Sequence, residues 1–72
     1  MHYDLCVKHY DKDWHLLEVD ESHGSYMTLQ AAVDRADSLQ RDPEGGAIQE
    51  ACVELRGDDG GFIGPSYERL IP

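Results

Sequence analysis

Carboxylates are the residues of this chain whose number and spacing most strongly indicate a functional role. The 72 residues include 15 aspartates and glutamates against 6 lysines and arginines, a formal net charge of −9. Carboxylates two residues apart on one strand face lie roughly 6–7 Å apart, and duplex DNA presents one charge per about 1.7 Å of its axis. Rows of acidic side chains can therefore imitate part of a phosphate array.

The acidic side chains form short rows that could contact a partner. The candidates are Asp11, Asp13, Glu18, Asp20, Glu21, Asp34, Asp37, Glu54, Asp58 and Asp59. The alternative is that they are solvated surface charges that keep a small protein soluble. Their sign argues against direct binding to nucleic acid or to an anionic membrane, because both are bound through Lys and Arg.

Aromatic side chains near predicted turns and element ends are the other candidates for contact. They are Tyr10, Trp14, Tyr26 and Tyr67, and such rings commonly anchor interfaces once they lose their water. Trp14 is counted with the acidic residues as a predicted contact residue. The alternative is that Trp14 caps the open end of the sheet.

Histidines and cysteines raise the question of a metal site. His2 and Cys6 share one face of the first predicted strand, and His15 could lie opposite them, a donor set that would suit Zn²⁺. The chain contains no CxxC, HxxxH or HExxH motif. We therefore expect no metal and no cofactor, and we interpret Cys6 and Cys52 as free, partly buried thiols.

No set of residues predicts catalysis. Ser22-His23 and Ser66 offer a hydroxyl and an imidazole, but nothing in the sequence orients them as nucleophile and base. Asp58-Asp59-Gly60 lacks the remaining ligands of a calcium loop, and we interpret it as a turn. The sequence therefore predicts a protein that is not an enzyme.

The elements that position these residues begin with a hairpin. Tyr3, Leu5 and Val7 alternate with polar residues, which indicates a half-buried strand. A polar turn at residues 10–13 and an apolar run at 14–19 follow, so residues 2–19 are predicted to form a β-hairpin.

A helix is predicted next. Apolar residues recur at three- and four-residue intervals from Leu29 to Leu39, which predicts a helix over 29–41. Thr28 is the expected N-cap. The run Asp42-Pro43-Glu44-Gly45-Gly46 is expected to end the helix.

Two further strands complete the predicted sheet. Residues 51–56 alternate and predict a third strand, Gly57 to Gly61 predicts a turn, and Phe62-Ile63 begins a short fourth strand. Pro65 and Pro72 make the last segment an edge or an irregular tail.

The predicted fold class is α+β: a ββαββ order, with an antiparallel four-stranded sheet covered on one face by one helix. One small domain, residues 1–72, is expected. The predicted core is Tyr3, Leu5, Val7, Leu17, Val19, Leu29, Ala32, Val33, Ala36, Leu39, Ala51, Val53, Leu55 and Ile63. The other sheet face is predicted to be wet and to carry Cys6, Lys8, His15, Glu54 and Arg56.

Several short motifs resemble those of a family of small uncharacterised bacterial ββαββ proteins. They are Asp13-Trp14-His15, the helix sequence Thr-Leu-Gln-Ala-Ala-Val-Asp-Arg-Ala, the run from Val53 to Gly60, and Ser66-Tyr67. The resemblance covers most of the chain and implies the topology, with no catalytic residues to carry over. The strong acidity and the segment from Gly24 to Met27 depart from the expected pattern.

Size and charge are also similar to those of the small acidic inhibitors made by phages and mobile elements, which include anti-CRISPR proteins and DNA mimics. The similarity implies an inhibitor that binds the basic surface of a nucleic-acid-binding protein or complex and blocks its DNA or RNA site. The alternative is a structural or homo-oligomeric domain whose exposed sheet edge pairs with another copy, as monomer or homodimer, with charge serving solubility only. The chain shows no signal peptide and no apolar run that could span a bilayer, so a reduced, cytoplasmic protein without membrane contact is expected.

Overall fold

The computed structural model describes residues 1–41 and 48–72 and shows one helix and five strands. The elements are β1 (His2–Tyr10), β2 (Leu16–Asp20), β3 (Ser25–Tyr26), α1 (Leu29–Asp37), β4 (Ile48–Arg56) and β5 (Phe62–Leu70). The antiparallel sheet has the order β2-β1-β4-β5, and β3 pairs with β1 beside β2. The α+β class is confirmed. The predicted count of four strands is wrong, because the two-residue β3 adds a fifth.

The central pair of strands, β1 and β4, forms the frame of the sheet. Their nine residues pair in unbroken register, from His2 opposite Arg56 to Tyr10 opposite Ile48. Residues directly opposite each other in an antiparallel pair point to the same face. This register places Leu5 beside Val53 on the face that α1 covers.

The helix begins where the sequence predicts and ends earlier. Thr28 is the N-cap, and its Oγ1 accepts a hydrogen bond from the amide of Ala31 at 3.2 Å. The last helical residue is Asp37 rather than Arg41. The amide of Ser38 donates to the carbonyl of Arg35, a three-residue span that tightens the last turn and ends the helix. The predicted stop at 42–46 lies outside the described residues.

The core lies between the helix and one face of the sheet. Its buried apolar residues are Leu5, Val7, Ala32, Ala36, Ala51, Val53 and Ile71, with Tyr3, Tyr26, Leu39 and Tyr67 packed partly buried against them. Ile71 is a core residue that was not predicted from the sequence. The Ile71 amide donates to the carbonyl of Gln49 at 2.9 Å, so pairing to β4 continues past the end of β5 and draws this side chain inward.

The side chains of strand β2 point to the opposite faces of the sheet from those predicted. Asp20 lies opposite Val7 and Val19 lies opposite Lys8, so the acidic residues of β2 point to the helix side and Val19 points away from it. The register shifts between His9 and Tyr10, and this irregularity sets the pairing. Leu17 and Val19, predicted to be core residues, are 64% and 39% exposed.

Other predicted core residues are also less buried than expected. Leu29 is exposed at the first position of the helix, and Ile63 is exposed beside a register shift between β4 and β5. Val33 and Leu55 are half-buried. The last strand, β5, is nine residues long instead of short, and its place at the end of the strand order confirms the predicted edge.

The face of the sheet away from α1 is called the open face below. Cys6 lies on it, as predicted, but is buried and directly opposite the equally buried Cys52. Lys8, Glu54 and Arg56 are half-buried rather than fully wet, because long side chains cover part of one another on the sheet surface. His15 precedes β2 and lies in the turn, exposed.

Candidate interaction surface

The turn between β1 and β2 is built around one carboxylate. Asp11 Oδ1 accepts hydrogen bonds from the amides of Asp13 at 2.8 Å and of His15 at 2.9 Å. These backbone donors, that of His15 first, lower the pKa of Asp11 below its ordinary value. Asp11 is therefore a turn-forming residue as well as a surface charge.

Trp14 lies at the tip of this turn in an uncommon backbone conformation. Its φ is +66°, in the left-handed region that bulky residues rarely adopt. Its ring lies 5.6 Å from the ring of Tyr10, centroid to centroid, and 54% of the residue stays exposed. The turn therefore presents an indole to solvent at the end of the sheet.

Strand β2 carries apolar and acidic side chains in alternation along an outer edge of the sheet. Leu16 is 54% exposed, and with Val19 it lies on the open face, opposite Tyr10 and Lys8 of β1. Glu18 lies on the helix side, opposite His9.

The segment after β2 adds two more carboxylates. Asp20 accepts hydrogen bonds from the Ser22 hydroxyl at 2.6 Å and from the Ser22 amide at 2.9 Å, and its Oδ2 lies 3.3 Å from His23 Nε2. The Ser22 hydroxyl is the main reason that the pKa of Asp20 is lowered. Glu21 is exposed and follows directly.

Residues 11–21, from the turn through Glu21, are called the β2 edge surface below. They contain five carboxylates and one lysine, a net charge of −4, in 11 residues. Among the described residues, no Lys, Arg, His or N-terminal nitrogen lies within 4.0 Å of the carboxylates of Asp13, Glu18 or Glu21. Six of the eleven predicted contact residues lie on this surface: Asp11, Asp13, Trp14, Glu18, Asp20 and Glu21.

The remaining predicted contact residues lie elsewhere. Asp34 and Asp37 are on α1, Glu54 is on the open face, and Asp58 and Asp59 are in the turn between β4 and β5. That turn and the β1–β2 turn lie at opposite ends of β1, a strand of nine residues and so of roughly 30 Å. The predicted acidic rows therefore do not form one continuous surface.

Several of these remote carboxylates have cationic partners within the chain. Asp37 accepts from the Tyr67 hydroxyl at 2.8 Å and pairs with Arg69 Nη1 at 2.5 Å, and the Tyr67 bond is the main cause of its lowered pKa. Glu54 pairs with Arg56 at 2.8 Å, and Asp58 pairs with the N-terminal amino group. Their charges are largely balanced within the chain.

One group of side chains has the composition of a metal site. Potential ligand atoms of Asp11, Asp13 and His15 lie within 4.8 Å of one another. Asp13 and His15 are exposed, and Asp11 already accepts two backbone hydrogen bonds. The ligands considered from the sequence, His2, Cys6 and His15, are not brought together, because His15 lies beyond the far end of β1 from His2.

A polar cleft of about 430 Å³ lies at the other end of the open face, lined partly by His2, Cys6 and Glu21. Asp4 also lines it: this carboxylate accepts from Ser25 Oγ at 2.5 Å and lies 3.1 Å from His2 Nε2 and 3.4 Å from Arg56 Nε. The hydroxyl and the imidazole both bind the carboxylate rather than each other. This arrangement ties β3, β1 and β4 together and does not form a nucleophile–base pair.

The two cysteines differ from the usual reactive type. Burial is the main reason that the pKa of Cys6 rises to about 11 and that of Cys52 to about 12. Cys52 Sγ also donates to Glu50 Oε1 at 3.5 Å. Both thiols are therefore protonated at neutral pH and poor nucleophiles.

In the parts of the chain that the structure describes, no helix has the length and apolar character needed to cross a membrane.

Comparisons of the chain with protein-family models, with curated proteins and with solved structures found no match. The likeness to small bacterial ββαββ proteins and to acidic phage inhibitors therefore rests on sequence features alone.

Proposed function

We propose that this protein is a non-enzymatic acidic inhibitor that binds the basic surface of a nucleic-acid-binding protein and blocks its DNA or RNA site. The observation that carries the proposal is the β2 edge surface, where carboxylates without cationic partners surround exposed apolar side chains. Elsewhere, Asp37, Glu54 and Asp58 pair with cations of the chain itself. The exposed carboxylates of these other described parts that lack such a pair are dispersed over α1, the β4–β5 turn and β5: they are Asp34, Asp59 and Glu68. The β2 edge surface is thus the part of the described chain best suited to attract a basic partner.

The spacing of these carboxylates supports competition with a phosphate backbone. Glu18 and Asp20 are two residues apart on one face of β2, a separation of roughly 6–7 Å. Asp13 and Glu21 extend the acidic surface beyond the two ends of the strand. A basic groove that binds successive phosphates would encounter a comparable row of negative charge.

Two matched triple variants test the proposal. The edge triple is D13N, E18Q and E21Q, and the remote triple is D34N, D59N and E68Q. Each removes three exposed carboxylates that have no cationic partner among the described residues. Capture of nucleic-acid-binding proteins from a bacterial lysate, followed by elution with duplex DNA, measures competition for the basic site.

We expect wild type and the remote triple to capture the same DNA-displaceable protein, and the edge triple to capture less of it. Capture that duplex DNA does not displace would contradict the proposal. Equal losses in both triples would show that net charge, rather than this surface, controls binding.

A second candidate function is a homo-oligomeric domain. It is favoured by apolar side chains that stay exposed at both sheet edges, Leu17 on β2 and Phe62, Ile63 and Leu70 on β5. Sedimentation velocity over a range of concentrations tests it, because self-association raises the sedimentation coefficient with concentration. A single concentration-independent monomer species would contradict this second function.

A further inference from the structure

The sheet has two outer edges, and they differ in how well they are protected against pairing with a further strand. β5 contains Pro65, which cannot donate to a neighbouring strand, and it pairs with β4 through two register shifts. It also carries Glu68 and Arg69. Proline, irregular register and charge are the usual means by which proteins prevent an edge from accepting another strand.

Strand β2 has a single register shift, beside Leu17, and its two charged residues are both acidic, so they disfavour an acidic strand but not a basic one. Its five residues, LLEVD, include no proline, glycine or lysine. An edge strand leaves the N–H and C=O groups of every second residue unpaired on its outer side. Among the described residues, β2 pairs with β1 alone. Its outer side is therefore a template for a further strand.

The side chains of β2 define what such a strand would contain. Leu16 and Val19 present apolar surface on the open face, while Glu18 and Asp20 present carboxylates on the helix side. Because successive side chains of an added strand alternate between faces, apolar residues would lie beside Val19 and cationic residues beside Glu18. The chemistry fits an extended segment in which basic and apolar residues alternate.

A second copy of this chain does not fit the same edge. Pairing two β2 strands would bring Glu18 and Asp20 close to the same residues of the partner, and like charges on neighbouring strands are destabilising. Each copy also carries a net charge of −9. The charge pattern therefore favours a different, cationic partner over self-pairing.

We propose that β2 is a docking edge that accepts an extended segment of alternating basic and apolar residues from the partner protein, as an added β-strand. This inference rests on the proposed function and specifies how the basic partner is held. Backbone hydrogen bonds along β2 supply affinity, and the alternation of Val19 with Glu18 and Asp20 supplies register and selectivity. Trp14 lies at the end of this edge, where its exposed ring can cover an apolar residue of the added strand.

The probe for this proposal is a capped peptide in which lysine and valine alternate, long enough to span the five residues of β2. The matched control is the same sequence methylated on every backbone nitrogen, which keeps the charge and removes the donors. Isothermal titration measures both affinities. Amide hydrogen exchange, followed by NMR, shows which backbone N–H groups become protected.

We expect the unmethylated peptide to protect amides of Leu16–Asp20 and to bind at least about tenfold more tightly than the methylated one, because methylation removes the backbone hydrogen bonds to β2. Val19→Thr should weaken binding, whereas Ile63→Thr on β5 should leave it unchanged. The edge triple should weaken binding about tenfold.

Three outcomes would overturn strand addition: equal affinity of the two peptides, protection of β5 in place of β2, or failure of both peptides to bind. None of them depends on DNA competition for the captured partner. If duplex DNA still displaces that partner, the acidic-inhibitor proposal stands without strand addition. If β2 instead becomes protected on raising the protein concentration alone, self-pairing replaces the proposed partner.

Discussion

At the residue scale, the turn that ends β1 combines a structural carboxylate with a strained aromatic residue. Asp11 binds two amides of the turn, and Trp14 holds a left-handed backbone conformation that asparagine or glycine adopts at lower cost. The contact with Tyr10 offsets part of that cost. The remaining exposed indole surface is available to a partner, and this availability gives a reason for a bulky residue here.

Trp14→Asn separates stability from binding. The change should remove about 1 kcal/mol of backbone strain and lose the aromatic pair, worth about 0.5–1.5 kcal/mol, so the free energy of unfolding should change by less than about 1 kcal/mol. Binding of the basic partner should weaken at the same time. Urea unfolding followed by circular dichroism, together with titration of the lysine–valine peptide, measures the two effects. A large loss of stability would instead indicate that Trp14 serves mainly as a cap on the sheet.

The burial of the cysteines is a feature that the residue pattern of a single strand does not predict. Alternation correctly predicts that Cys6 lies on the face away from the helix, but that face was predicted to be wet. Cys6 is 2% exposed because its register partner is Cys52 and the surrounding strands carry long side chains. Cross-strand register, which brings distant residues together, is not encoded in the local pattern of either strand.

At the element scale, the elements predicted correctly are those that a single local rule, such as periodicity or capping, determines. The hairpin, the helix start at Thr28 and the alternation of β4 all follow from periodicity or capping, and all are confirmed. β2 was assigned to the wrong face because a register irregularity, not its own apolar pattern, sets its pairing. The adjacent Leu16 and Leu17 were an available signal, since a regular strand cannot direct two successive side chains to one face.

The candidate site was likewise predicted only in part from the sequence. The acidic residues at 11–21 were identified from composition, and the structure brings them onto one edge. The exposed apolar residues beside them were missed, because Leu17 and Val19 were assigned to the core. The sequence already assigned Asp34, Glu54 and Asp58 to a helix, a strand and a turn, but the distance of the β4–β5 turn from the β1–β2 turn follows from the pairing of β1 with β4, which the sequence pattern did not predict.

Two aspartates of α1 offer a matched comparison between a structural and an unpaired carboxylate. Asp37 joins the helix to β5 through Tyr67 and Arg69, whereas Asp34 contacts Gln30 of its own helix. Asp37→Asn should lower the free energy of unfolding, and Asp34→Asn should leave it unchanged or raise it by reducing self-repulsion. Urea unfolding of both variants at neutral pH measures the difference.

The pH dependence of Asp37 has a defined sign. Because its pKa is lowered in the folded state, its contribution to stability is present above the ordinary aspartate value of 3.8 and is lost as the pH falls through the lower folded value. The difference between wild type and Asp37→Asn should therefore shrink in that acidic range. A difference that persists there would attribute the effect to packing rather than to charge.

At the scale of the whole molecule, the negative charge acts on folding and on binding with opposite signs. A net charge of −9 on 72 residues repels itself in the folded state. The same charge attracts a basic partner and accelerates its association. A protein whose charge served solubility only would show the first effect without the second.

Added salt distinguishes these two roles in a single protein. Raising the ionic strength from about 0.1 M to about 1 M shortens the screening length from about 10 Å to about 3 Å. The free energy of unfolding should therefore rise, because self-repulsion is screened. The affinity for the basic partner should fall over the same range, because the attraction is screened too.

The edge triple and the remote triple should flatten the salt dependence of stability equally, since each removes three charges. The salt dependence of binding should flatten in the edge triple alone, because those charges lie on the β2 edge surface. Equal flattening of binding in both triples would mean that the partner senses the overall charge of the molecule, and the β2 edge surface would then have no special part in recognition.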